Sequence, residues 1–489
     1  MPLDQHQTPY LDAALRYRAA GYTPFHTPGH KFGKGAPEKL RELLGETCLR
    51  ADVAMAGGVE ATRESTHLVR LAEEYAAEAW GCERAWFLVN GSTSGIHALV
   101  LTLCRPGDTV IMPRNAHKSM LAGLIFSGAM PFYIEPDVDE LWGIPLNVTA
   151  AAAERALRAH ADAAAIFVTS PTYNGLACDL QAIALAAHGA GVPFVTDQAW
   201  GPHLRFCTLL PEDAMTAGAD AAVLSTHKLI SGVTQSSVLL ARGQRINLAR
   251  LEALVHMTQS TSPQALMYAS IDAARQQMAV RGEELWTGAV GLATWARERL
   301  NGMPGIRCLG QESLAHEGVV ALDPTRLTVS SLDLGHGGYE LESVLRRDYR
   351  ISVEAADPFN VVLNVTFGDS KADLERLVSA FRDYSARFAG DARRGGDESP
   401  RLLHAPAFTH QVLSPREAFF APSVPLPLAE CSGHVSAEMV TPYPPGIPVL
   451  GPGEAISDEI VAYLEEGAAT HLKVHGPEDP SLGTLRVVA

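Results

Sequence analysis

Short apolar runs alternate with helix-length stretches from about residue 66 to residue 240. Leu68, Leu71, Tyr75 and Ala79 recur at helical spacing, and Gly81 is placed to stop that helix. Ala85-Trp86-Phe87-Leu88-Val89 reads as a buried strand, followed by a Gly/Ser/Thr loop at 90–95 and an apolar helix to about Cys104. Pro106-Gly107-Asp108 is a turn, and Thr109-Val110-Ile111-Met112 is the next strand. Further strands are expected at Phe132-Tyr133-Ile134, Ala165-Ile166-Phe167-Val168, Pro193-Phe194-Val195-Thr196, Ala222-Val223-Leu224 and Ser237-Val238-Leu239-Leu240. Helical stretches, several rich in Ala, separate most of them. Short apolar strands alternating with helices predict a mainly parallel sheet covered on both faces, an α/β fold.

The pattern changes on either side of this region. The first sixty or so residues read as irregular. A helical region spans about 245–300. Residues 317–367 mix strand-like runs, Val319-Val320-Ala321-Leu322 and Val361-Val362-Leu363-Asn364-Val365, with a helix at 338–348, and a helix at 371–388 closes a smaller α/β unit. The polar, Gly-rich stretch 389–400 reads as an exposed linker, and the section after it is Pro-rich. The expected organisation is an N-terminal segment (1–60), a large domain (61–310), a small α/β domain (311–390) and a C-terminal domain (401–489).

Composition narrows the function class. Hydrophobic residues are 47% and charged residues 19% of 489, which excludes a disordered chain, a coiled coil and a collagen-like repeat. The formal charge is 39 − 55 = −16. So acidic a surface is a poor partner for nucleic acid, where clustered Lys and Arg are needed. Seven scattered cysteines without a C-x-x-C pair suggest neither a disulfide framework nor a zinc site, and no metal is expected. The first residues lack the basic and apolar regions of a signal peptide, and no apolar run is long enough to span a membrane, so a cytoplasmic protein is expected.

Candidate chemistry sits just after strands, where open α/β sheets bind ligands. Asn90-Gly91-Ser92-Thr93-Ser94-Gly95 offers hydroxyls and helix-start amides suited to a phosphate, although such loops are often Gly/Ser-rich for turn reasons alone. Asp197 closes a strand, where a carboxylate is commonly a cap or an ion-pair partner. Lys228, in Ser225-Thr226-His227-Lys228, follows the next strand. A lysine shielded there has a lowered pKa and can form a Schiff base; a snorkelling surface lysine is the plain alternative. His117, in Arg114-Asn115-Ala116-His117-Lys118-Ser119, could stack on a flat ring or simply start a helix. Together, a phosphate loop, an acid and a lysine 228 − 197 = 31 positions later form the layout that pyridoxal phosphate needs: an amine for its aldehyde, a carboxylate for its ring nitrogen and donors for its phosphate. A dinucleotide site competes, but there is no G-x-G-x-x-G.

The chain resembles the ornithine/lysine/arginine decarboxylases, specifically the short type without an N-terminal receiver-like domain. The matching motifs are His26-Thr27-Pro28-Gly29-His30-Lys31, Val89-Asn90-Gly91-Ser92-Thr93-Ser94-Gly95, Arg114-Asn115-Ala116-His117-Lys118-Ser119, Asp197-Gln198-Ala199-Trp200-Gly201-Pro202-His203, Ser225-Thr226-His227-Lys228, and Tyr443-Pro444-Pro445-Gly446-Ile447-Pro448 with Pro452-Gly453-Glu454. Gln198 departs from the acidic or small residue common there. The resemblance implies the fold type I aminotransferase architecture of pyridoxal-phosphate enzymes. It implies that Lys228 holds the cofactor, Asp197 pairs with the ring nitrogen and His117 stacks on the ring. Ser92, Thr93, Ser225 and His227 would serve the phosphate, and Ala199 the other ring face, with Trp200 and His203 nearby. Lys228 or His227 would carry the proton that replaces carbon dioxide. Glu438, just before the Pro-rich motif, would pair with the substrate's distal cation, unless it is a surface residue. The substrate implied is a small basic amino acid: arginine first, then lysine and ornithine. A homodimer or higher homo-oligomer is implied as well. Two other readings stay open: an aminotransferase or decarboxylating oxidase on the same scaffold, and a non-catalytic regulatory homologue. Retention of Lys228, Asp197 and His117 speaks against the second.

Overall fold

The computed structural model describes residues 2–53, 66–389, 410–442, 446–469 and 472–489. Most of the expected linker at 389–400 and the Tyr443-Pro444-Pro445 run lie outside the described residues. The chain divides into two compact units. The first comprises Met1–Thr102, Thr196–Thr208 and Glu212–Glu284, and the second Leu103–Val195, Leu209–Pro211 and Leu285–Ala489.

Seven strands match the apolar runs: β1 Arg84–Leu88, β2 Thr109–Pro113, β3 Met130–Ile134, β4 Ala165–Thr169, β5 Phe194–Asp197, β6 Ala221–Leu224 and β7 Ser237–Ala241. In the first unit, neighbouring strands follow the order β1-β7-β6-β5, and in the second β5-β4-β2-β3. The second unit meets the parallel expectation, since β2 pairs parallel with both β3 and β4. In the first unit β7 is antiparallel to both β1 and β6, which makes the strand set mixed. The connection between β6 and β7, residues 225–236, is at the lower limit for a parallel crossover and holds only a four-residue helix, Thr226–Leu229, where a crossover usually carries a full one.

The first unit also corrects the expectation of an irregular N-terminus. Helices run over Pro9–Ala19 and Glu38–Ala51. Pro9 stands at the favoured first position, Asp12 lies in the first turn and Arg16 and Arg18 in the last, so the helix rests on end effects more than on an apolar stripe. Helix α1, Gly91–Leu103, lies close on the strands because Gly95 has no side chain. A Cβ there would stand 2.8 Å from Leu88 Cδ1 and from Val223 Cγ1.

In the second unit, helix α2, Lys118–Ser127, follows β2. A four-stranded antiparallel sheet forms from β8 Arg307–Cys308, β9 Arg326–Ser330, β10 Ala355–Ala356 and β11 Asn360–Asn364, in the order β8-β9-β11-β10. Helices Gly338–Tyr349 and Lys371–Phe388 pack on it around Leu327, Val329, Val361, Phe381 and Tyr384. Of the run expected at 319–322 only Ala321–Leu322 is a strand, and the central strand β9 was not foreseen. The C-terminal section has its own core, built on Leu428, Val440, Leu450, Ile460, Leu464 and Val487.

Candidate active site

The antiparallel register of the first unit assembles a cluster of hydroxyls. Leu88, the last residue of β1, lies opposite Ser237, the first of β7, and Leu224, the last of β6, lies opposite Val238. The carboxyl ends of β1 and β6 therefore flank the amino end of β7. Ser92, on the first turn of α1, reaches this point: its Oγ lies 2.8 Å from Ser225 Oγ and 3.4 Å from Ser237 Oγ. All three serines are buried. The first amides of a helix have no partner within it. At α1 the Gly91 amide donates to Gln235 O at 2.9 Å. Gln235 holds the left-handed φ of 82° that turns its carbonyl this way. Three hydroxyls beside a helix start make a cradle suited to an anion.

One strand along, β5 ends in Asp197. Its carboxyl is set deep, yet the residue keeps part of its surface open. Burial pushes the Asp197 carboxyl above its ordinary pKa, while the Lys228 charge and the Ala199 amide, donating at 3.1 Å, pull it down. The acid is thus short of positive charge around it. Lys228, half-buried on the short helix after β6, holds Nζ 3.8 Å from the centroid of the Trp200 ring. A cation over an indole face gains about 0.5–2 kcal/mol depending on desolvation. Beside it, His227 Nδ1 lies 2.7 Å from Ser236 O. A carbonyl cannot donate, so Nδ1 carries the hydrogen and the lone pair of the neutral ring sits on Nε2. Thr226 Oγ1 and Ser236 Oγ, 2.8 Å apart, tie this loop together. Gly232 makes room for them, since a Cβ there would stand 2.4 Å from Ser236 Oγ.

The first unit therefore brings together Ser92, Ser225, Asp197, Ala199, Trp200, His227 and Lys228. Thr93 is exposed on α1, and His203 is fully buried beyond Trp200. Three residues of the cradle escaped the sequence reading: Ser237, Ser236 and Gln235. The available signal was the polar run Thr234-Gln235-Ser236-Ser237 leading into β7. His117 belongs to the second unit, where it caps α2. Its Nδ1 accepts from the Ser119 amide at 3.2 Å and lies 2.9 Å from Ser119 Oγ. Glu438, also in the second unit, is buried, and its two carboxylate oxygens each accept a main-chain amide, Arg486 N at 2.9 Å and Glu478 N at 2.9 Å. That geometry describes a brace across the C-terminal section.

Comparison with known proteins decides the family. The family model described as "Orn/Lys/Arg decarboxylase, major domain" matches residues 8–373, and that of the family's C-terminal domain matches residues 404–478. This chain belongs to the Orn/Lys/Arg decarboxylase family. It is a decarboxylase, and similar to the arginine decarboxylases of Halalkalibacterium halodurans and Bacillus subtilis. Each is 37% identical over 486 residues, covering 99% of this decarboxylase and 98% and 99% of those proteins. Among solved structures, lysine decarboxylase A from Pseudomonas aeruginosa superposes with a TM-score of 0.83 at 21% identity, covering 98% of this decarboxylase and 80% of that chain. The Francisella novicida lysine decarboxylase gives 0.81 at 23% identity, over 98% and 80%. At that identity these two carry the fold, which the decarboxylase shares. Among its described residues no helix is long and apolar enough to cross a membrane.

Proposed function

We propose that this decarboxylase removes the α-carboxyl group of L-arginine, giving agmatine and carbon dioxide, with pyridoxal 5'-phosphate as cofactor. Lysine and ornithine follow arginine as substrates. The observation that carries the reading is the single cluster of the Ser92, Ser225 and Ser237 hydroxyls, the deep Asp197 carboxyl and the Lys228 amine. This donor set fits the cofactor group by group. Hydroxyls and helix-start amides suit its phosphate, an acid short of positive charge suits its ring nitrogen, and a partly shielded amine suits its aldehyde. Arginine is favoured because the two full-length relatives at 37% identity are named arginine decarboxylases, whereas a lysine decarboxylase of Pseudomonas aeruginosa is 23% identical.

When bound, the cofactor supplies an electron sink for the pair left behind as carbon dioxide departs. The chain's own groups do the rest. Ser92, Ser225 and Ser237 anchor the phosphate, with Thr93 and His227 beside them. Asp197 holds a proton at the ring nitrogen. Its burial strengthens that interaction, since a carboxylate in a poorly solvated site gains more from a cationic partner than one in water. Lys228 Nζ is the amine that would hold the cofactor, and its position also suits it to carry a proton at the reacting carbon. His227 Nε2, with its lone pair directed by the bond from Nδ1 to Ser236 O, is the second proton carrier. His117 and Ala199 serve the ring faces, and Trp200 borders the substrate side, with the fully buried His203 behind it. Glu438 is the weaker candidate for the substrate's distal cation, because its oxygens already hold two amides. The acting unit we propose is a homodimer in the cytoplasm.

Purified protein supplied with pyridoxal phosphate and assayed on arginine, lysine and ornithine tests the proposal. Carbon dioxide and amine in equal amounts, fastest from arginine, are expected. A keto acid would point to transamination, and an aldehyde with oxygen consumed to an oxidase. Either would overturn the reading.

A further inference from the structure

Two motifs of the sequence, the one around His117 and the Pro452-Gly453-Glu454 turn, contain charged residues that the chemistry above leaves without a task. They meet in the second unit. Arg114 Nη1 donates to Glu454 Oε1 at 2.6 Å and Nη2 to Glu454 Oε2 at 2.9 Å, while Nη2 also donates to Val449 O at 3.0 Å. The guanidinium lies 4.7 Å from the centroid of the Tyr133 ring. The side chains are 4% and 1% exposed, so the pair is out of water. Glu454 is presented by a turn that only glycine permits. Gly453 has φ +87°, and a Cβ there would stand 2.3 Å from Leu413 O. The Gly451 amide donates to Glu454 Oε2 at 2.8 Å and fixes the carboxylate from the other side.

The same C-terminal section holds helix α2 at both ends. At its start the Lys118 amide, next to the His117 cap, donates to Gly446 O at 3.0 Å. At its end Arg416 Nη1 donates to Phe126 O at 2.7 Å. Arg114 lies three residues before His117 on the segment joining β2 to α2. A buried ion pair adds little net stability, because desolvation offsets much of the attraction, but a fork-to-fork pair fixes geometry closely. We propose that Arg114 and Glu454 are positioning residues: through them the C-terminal domain sets where His117 stands, and with it how firmly the cofactor ring is held. This rests on the role given to His117 above.

The test is a double-mutant cycle on the full-length protein, read as the dissociation constant of pyridoxal phosphate by absorbance titration. E454Q keeps the shape and removes the charge. It is expected to raise that constant on the order of 10–100-fold, the range found when a group that orients a ligand-holding residue from behind is lost. In an H117A background the same substitution is expected to add no more than about twofold, because Glu454 then has nothing to position. Full multiplicative effects would overturn the proposal. So would an equal loss of affinity in L464A, which loosens the C-terminal core away from the ion pair. If H117A alone leaves the constant unchanged, the His117 reading fails and the proposal with it; if H117A weakens binding and E454Q does not, only the proposal fails. Should E454Q not fold, R114K, which keeps the charge but not the fork, carries the same cycle.

Discussion

Gly95→Ala puts one methyl group between helix α1 and the strands beneath it, and the outcome depends on which of two opposed effects is larger. In a helix interior, alanine is better than glycine by about 0.8–1 kcal/mol. Against this, the new Cβ would lie 2.8 Å from Leu88 Cδ1 and Val223 Cγ1 and 3.3 Å from Leu239 Cδ1. Carbon atoms want roughly 3.5–4.0 Å. The three methyl groups belong to β1, β6 and β7, and all three residues are fully buried, so α1 must yield, by roughly 0.7 Å or more at the optimal carbon separation. Overpacking of this kind costs about 1–3 kcal/mol. The net effect on stability is a loss of up to about 2 kcal/mol. The effect on the cradle is sharper. Ser92 sits one turn before Gly95, and its Oγ is 2.8 Å from Ser225 Oγ and 3.4 Å from Ser237 Oγ. A withdrawal of that size takes the longer contact out of hydrogen-bonding range and leaves the shorter one marginal. Losing one hydrogen bond to a charged phosphate costs about 1.5–3 kcal/mol, a rise of roughly 10–100-fold in the pyridoxal-phosphate dissociation constant. Gly288→Ala, in the helix Ala265–Asn301, is the control, because a Cβ there meets nothing within 4 Å. It should stabilise and leave the cofactor alone. Calorimetry with absorbance titration reads both quantities. If Gly95→Ala also raises the melting midpoint and binds cofactor normally, the argument from close approach is wrong.

Asp197→Asn removes the deep charge while keeping the shape; turnover should fall at least about a hundredfold at saturating cofactor, and an unchanged kcat would mean another acid serves the ring. Glu438→Gln replaces one of two acceptors with an N–H group facing a main-chain amide; melting should show a loss of about 1–3 kcal/mol with the arginine-to-lysine ratio of kcat/KM unmoved, and a shifted ratio at unchanged stability would return Glu438 to substrate recognition. Burial pushes the Asp357 carboxyl up to about 6 from 3.8, although the Phe359 and Asn360 amides and the Asn360 side chain favour its charge. A raised pKa in the folded state means stability that is complete below about pH 4 and lost as pH rises through about 6, by at most about 3 kcal/mol. Asp357→Asn keeps the Oδ1 acceptor for both amides and should flatten that decline, so a denaturation series in which wild type and variant fall in parallel would rule Asp357 out as its source.

Strands β1 to β7 were legible because each follows a short apolar run, and all but the half-buried β3 are buried along most of their length. Their directions were not, since Val238-Leu239-Leu240 reads the same in either sense; only the lack of a helix-length stretch in the link from β6 argues for an antiparallel return. Strand β9 was missed because Arg326, Thr328 and Ser330 make it look half polar, although all five of its residues are buried. Asp197 and Lys228 stood out by closing or following apolar strands. Ser237 did not, because it opens a strand instead of ending one, and only the register with Leu88 brings it to the site. The fork between Arg114 and Glu454 lies 340 positions apart along the chain, a distance over which no local pattern signals a pair.

The serine cradle has a consequence for how the protein matures. Ser92 lies 133 and 145 residues before Ser225 and Ser237, so only a chain that spans all three can complete it. Contacts this remote in sequence are slow to form, because the loops between them must close first. On the proposed function, full capture of the cofactor's phosphate therefore comes after β1, β6 and β7 have paired. From that moment mass action favours the finished state, by about 2.7 kcal/mol when free cofactor is a hundred times its dissociation constant. On the proposed function, chains made without pyridoxal phosphate reach this arrangement but lack the added stabilisation of the bound cofactor.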